Sequence, residues 1–164
     1  MRRLSIAFAL SLALASGLAH AENPWEDLMG PGDPRPWSDP RGRFALELPV
    51  GWSGGLRKGD ENFADFWRTQ PELGQRARVS VEVRTLPPGV AVAHIAQRLE
   101  EESRARLRGY ALYARDRREV SGVPAIRRHF AHRLHGNAEL DAEVDEVVLV
   151  TGARAFVLTL ENAH

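Results

Sequence analysis

Three of the chain's six histidines fall within seven residues, in the stretch HFAHRLH from His129 to His135. Imidazole nitrogens are favoured ligands of zinc and copper, so this spacing raises a metal site first. The backbone decides the matter. On a helix His129 and His132 would be neighbours. On a strand, alternate residues face opposite ways: His129 and His135 go with Arg127 and Arg133, while His132 turns away with Ile126 and Phe130. The surrounding pattern favours a strand, and the three rings then cannot converge on one ion. A smaller candidate survives. Folding the chain about GNAEL sets His135 near Asp141, Arg133 near Glu143 and His129 near Asp145 or Val147. His135, Asp141 and Glu143 could then offer one nitrogen and two oxygens to zinc or copper. Arg133 among them repels a cation, and a cross-strand ladder of opposite charges is the competing expectation.

Catalytic patterns are weaker still. Ser53, Ser80, Ser103 and Ser121 lack a nucleophile-elbow context, and there is no His-Glu-x-x-His and no phosphate-binding glycine loop. The run Glu100-Glu101-Glu102 is expected to be solvated charge on an outer helix face. The reading is therefore of a non-enzyme with no cofactor.

The elements that position these groups follow from periodicity. In RFALELP, Phe44, Leu46 and Leu48 share one face. In ARVSVEVRTL, Val79, Val81 and Val83 face one way, and Arg78, Ser80, Glu82 and Arg84 the other. NFADFW suggests a short strand. From Val90 to Arg108 the period changes to that of a helix, with Val92, Ala96, Leu99, Ser103 and Leu107 on one stripe, Pro88 before it and Gly109 to end it. AIRRHFAHRL, LDAEVDEVVLV and RAFVLTLE are strand-like runs joined by short loops, which connect antiparallel neighbours. The expected architecture is α+β: an antiparallel sheet of about five to six strands with one main helix, Val90 to Arg108, packed on one face.

The beginning of the chain carries an address. Arg2 and Arg3 precede an apolar run from Leu4 to Leu18, and Ala19-His20-Ala21 has the small-x-small form of a signal-peptidase site. Residues 1–21 are read as a signal peptide, cleaved to give a periplasmic or secreted protein with no membrane-spanning segment. Residues 22–42, with five prolines, have a composition that neither helix nor sheet tolerates and read as an extended leader or linker, either a tether or a segment that docks on the domain. Residues 43–164 are then one domain. With no cysteine, an exported chain must be held by packing alone. Acidic and basic residues balance at 22 each, so no global field points to nucleic acid or an anionic membrane.

Several pieces together resemble the PsbP-like fold: FALELPVGW as strand, proline and tryptophan; a middle helix after LPPG; VSGVPAIRR as turn and strand; and TGARAFVLTL as a closing hairpin. The resemblance spans Arg43 to about Glu161. It implies a central antiparallel sheet with helices packed against it and a role in binding other proteins, with no common catalytic residues. One departure is expected, since only Asn162, Ala163 and His164 follow the last strand here and leave no residues for a final helix. The expected function is an exported, non-catalytic binding or assembly module contacting a cell-envelope protein, with homodimerisation open. Its contact surface is expected on a charged sheet face comprising Arg78, Glu82, Arg84, Arg127, Arg133, Asp141, Glu143 and Asp145. The alternative is a small periplasmic zinc- or copper-binding protein using His135, Asp141 and Glu143.

Overall fold

The computed structural model describes residues 7–8, 35–70, 75–134 and 141–163. The chain divides into two compact units, Met1–Trp52 and Ser53–His164.

The first unit is a small sheet of strands β1 (Ala7–Phe8), β2 (Arg35–Ser38) and β3 (Ala45–Leu48), in the order β1-β3-β2. β1 runs parallel to β3 and β2 antiparallel to it. As the alternation predicts, Leu46 and Leu48 are buried and Glu47 is exposed. The turn from β2 to β3 is locked by Asp39, whose carboxylate accepts from Arg43 Nε at 2.7 Å, Arg43 Nη2 at 2.8 Å and the Arg43 backbone N–H at 3.1 Å. Trp37 and Phe44 meet across the hairpin, with ring centroids 5.6 Å apart. The expectation that the proline-rich leader avoids sheet structure therefore fails at Arg35–Ser38. Pro36 lies on an edge strand, where a sheet tolerates a residue with no N–H.

The second unit is a seven-stranded sheet with one helix. Its elements are β4 (Ser53–Arg57), β5 (Asp60–Gln70), β6 (Gln75–Thr85), α1 (Val92–Arg106), β7 (Ala111–Val120), β8 (Val123–Arg133), β9 (Asp141–Thr151) and β10 (Arg154–Ala163). The order is β4-β5-β6-β10-β9-β8-β7, and every neighbouring pair is antiparallel. Two meanders, β4–β6 and β7–β10, thus join along β6 and β10, and α1 carries the chain from the first to the far edge of the second. The β7–β8 turn places Ser121 and Gly122 at φ 51° and 78°, the left-handed pair that a two-residue hairpin of matching twist demands.

The architecture is the α+β sheet with one packed helix that the periodicity implies. The sheet gains an edge strand because SGGLR forms β4, and NFADFW is the centre of an 11-residue β5 longer than the short strand expected. α1 packs on β8 and β9, burying Ile95 and Leu99 against Val148, Ala155 and Val157. Arg104 and Arg106 in its last turn oppose the negative end of the helix dipole.

Candidate interaction faces

Residues paired across an antiparallel sheet share a face, so the register assigns every candidate to a side. Arg84 lies opposite Ala155, which lies opposite Val150. Arg78, Glu82 and Arg84 therefore stand on the face that carries α1. Arg127 lies opposite Val147, His129 opposite Asp145 and Arg133 opposite Asp141. Arg127, Arg133, Asp141, Glu143 and Asp145 belong to the other face. The single charged face expected from sequence is two half-faces on opposite sides of one sheet, because three connections separate β6 from β8 and β9, and alternation fixes sides only within a strand.

On the face away from α1, Asp145 is buried. It accepts from Arg127 Nε at 2.7 Å, with Arg127 Nη2 at 2.6 Å. His129 sits between two carboxylates, its Nε2 3.1 Å from Glu143 and its Nδ1 3.3 Å from Asp145. The acids approach opposite ring nitrogens, and Arg127 already occupies Asp145, so this group does not converge on one cation. Among the described residues no cluster of metal-ligating side chains occurs. Asp141 stands 4.0 Å from Arg133, its cross-strand partner, and pairing runs two residues out of the expected register, with Ala131 opposite Glu143. His135 lies outside the described residues. Around this ordered floor the side chains reach solvent: Tyr113 is 62% exposed with its ring 5.4 Å from that of His129. The side chains of Arg133 and Asp141 are 62% and 68% exposed.

On the other face the charges are tied down. Arg78 donates Nε and Nη2 to the two oxygens of Asp65 at 2.7 and 2.9 Å. Arg84 does the same to Glu82, at 2.8 and 3.0 Å, and reaches Glu102 of α1 at 3.4 Å. Glu100 bonds Arg104 at 2.8 Å and approaches Arg115 of β7 at 3.5 Å. The glutamate run is thus not simply solvated, since Glu100 and Glu102 clasp the sheet on either side of the helix. Ser103 Oγ donates to the Leu99 carbonyl at 2.7 Å, and Ser80 is buried. His132 turns to this side, 3.5 Å from Glu161, as strand alternation predicted.

Burial pushes the Asp65 carboxyl up, but the hydrogen bonds and charges of Arg78 and Arg57 outweigh it and leave the group below its ordinary 3.8. Asp39 behaves alike through Arg43. A lowered folded value means stability that is present above 3.8 and lost as pH falls through the folded value. Asp65→Asn should therefore weaken the fold at pH 7 and converge with the parent in acid, as urea unfolding at pH 7, 4 and 3 would show. A difference independent of pH would contradict the ion pair.

Sequence reasoning missed three features. Phe63, Asp65 and Trp67 alternate with Ala64 and Phe66, so the signal for their shared face was present in NFADFW. Tyr113 carried none. Arg128 did: it falls at an inward position between Ile126 and Phe130, and a lone charge in an apolar alternation implies a buried partner, here Glu146.

The sheet-and-helix arrangement defines the class, and superposition with solved structures defines the fold within it. CyanoP, the PsbP of Synechocystis sp. PCC 6803, matches with TM-score 0.54 at 14% identity, over 80% of this chain and 81% of its own. LpqN, involved in cell envelope biogenesis of Mycobacterium tuberculosis, matches at 0.51 and 16%, over 82% and 73%. PA94 of Pseudomonas aeruginosa, a protein of unknown function, matches at 0.51 and 16%, over 79% and 83%. No protein-family model and no curated sequence matches. The chain has a PsbP-like fold. No helix among the described residues is long and apolar enough to cross a membrane.

Proposed function

We propose that the chain is exported by cleavage after Ala21 and serves as a non-catalytic binding module of the cell envelope, docking a protein through the β7–β9 end of the face away from α1. One observation carries this reading: exposed Tyr113, Arg133 and Asp141 stand around a floor that Arg127, Asp145, His129 and Glu143 hold in place. An aromatic and an arginine on a pre-ordered base are what interface hot spots consist of, because little side-chain freedom is lost on docking. The likeness in fold to LpqN, whose own role is in envelope biogenesis, agrees with this setting.

Arg133 is the position to test, since reversing Arg127 would strand the buried Asp145 and perturb the fold. The expected result is that Arg133→Glu and Tyr113→Ala each lose an envelope protein that crosslinks to the parent chain, with melting temperatures unchanged. Crosslinked partners identical in all three would sink the proposal. Mass spectrometry of the exported chain should find Glu22 at its N-terminus.

A further inference from the structure

The face that carries α1 is roofed at one end. α1 packs on β8 and β9, and the β4–β6 half of the same face presents Phe63, Asp65 and Trp67 from β5, Arg78 from β6, and the small Ser53 and Gly55 from β4. Trp67 is 42% exposed. Its cross-strand neighbours are Arg78 on one side and the small Ser53 on the other, the β4 side. The bidentate Arg78–Asp65 pair lies beside it, held by bonds of 2.7 and 2.9 Å. Arg57 adds a guanidinium 3.7 Å above the Phe63 ring.

Among the described side chains of this patch the charges are paired. Arg57, Arg78 and Arg84 are matched by Asp65, Glu82 and Glu102, each in an ion pair. Nucleic acid or an anionic lipid surface would need an unbalanced positive field, and a basic peptide an unbalanced negative one. What the patch offers is one open aromatic face beside a rigid planar set of donors and acceptors. A pyranose ring is the complement: an apolar C–H face, and adjacent equatorial hydroxyls that both donate and accept hydrogen bonds.

We propose that the β4–β6 half-sheet is a platform for a neutral β-1,4-linked polysaccharide, with one sugar ring stacked on Trp67 and its hydroxyls bonded to the Arg78–Asp65 pair. The β-1,4 linkage makes an extended ribbon that can lie along an open strand surface, whereas a small ligand is normally enclosed in a cavity. This platform and the Tyr113 docking surface lie on opposite faces, so neither requires the other.

The test titrates the full chain with the N-acetylglucosamine tetramer chitotetraose by calorimetry, and sediments it with chitin and with peptidoglycan sacculi. Saturable binding is expected, at least tenfold weaker in Trp67→Ala, partly retained in Trp67→Phe and unchanged in Tyr113→Ala. Retention on chitin, on sacculi or on both supports the platform and distinguishes the polymers that share this chemistry. Three results would overturn it: no binding to any probe, equal binding by a folded Trp67→Ala, or a dimer at sedimentation equilibrium that Trp67→Ala dissociates. The last would give the face to a second copy of the chain. Loss of protein docking in Tyr113→Ala with sugar binding intact would separate this inference from the proposed function.

Discussion

Replacing Arg128 with alanine is expected to destabilise the folded chain by about 3–5 kcal/mol, the range for removing one partner of a buried ion pair. Arg128 is 0% exposed beneath α1. Its Nε and Nη2 donate to Glu146 Oε1 at 2.8 and 2.7 Å, and Nη2 lies 3.4 Å from Ser103 of the helix. Burial already raises the Glu146 carboxyl above its ordinary value, and the Arg128 guanidinium is the main charge pulling it back. Without the guanidinium the carboxyl rises further and takes up a proton on folding. A raised folded value gives stability that is complete below the unfolded carboxylate range and is lost as pH rises through the folded value. The deficit of Arg128→Ala should therefore be larger at pH 8 than at pH 5, a comparison that urea unfolding can make directly. Arg128→Met combined with Glu146→Leu should recover most of the loss, because two apolar groups of similar volume leave no stranded charge. A loss below about 1 kcal/mol with no pH dependence would show that water reaches Glu146.

That pair also shows which parts of the fold could be read from the residues. Periodicity works where one face is apolar and the other polar. It placed β6 through Val79, Val81 and Val83, and α1 through Ala96, Leu99 and the inward Ser103. It failed where partners supply the reason for a strand. β4 is Ser-Gly-Gly-Leu-Arg, without alternation or β-branching, and is a strand because β5 offers it an edge. β2 contains Pro36 and is a strand because β3 does the same. Neither edge can be seen from the segment that joins it.

The candidate faces were legible within each strand and lost between them. Arg78, Glu82 and Arg84 do share a side, as do Arg127 and Arg133, and as do Asp141, Glu143 and Asp145. Merging these sets into one surface needed the register from β6 through β10 to β9 and β8. The β6–β10 pairing joins segments about 75 residues apart in sequence, and no local rule determines which side of one meets which side of the other. His129 illustrates the limit in miniature. Hairpin folding offered it Asp145 or Val147 and the observed register selects Asp145, whereas its role as a support for Tyr113 depends on an irregularity in β7 between Leu112 and Ala114.

Gly54→Ala is the second large effect, an expected loss of about 3 kcal/mol, at the upper end of the cost of a sparsely populated backbone conformation. Gly54 has φ 147°, and a Cβ there would lie 2.0 Å from the Asp65 carbonyl oxygen and 2.7 Å from the Phe66 Cα. Both are backbone atoms of β5, so no side chain can swing aside, and β4 must lift off. Gly59 and Gly122 also have positive φ, but a Cβ at either meets nothing within 4 Å. Their alanine variants should lose only about 1 kcal/mol, the conformational term alone. Because β4 is an edge strand, the damage should stay local: amide exchange should quicken in β4 and along β5, while β6, β10, β9 and β8 keep their protection. Equal stability of Gly54→Ala and Gly59→Ala would mean that β4 is not seated this closely.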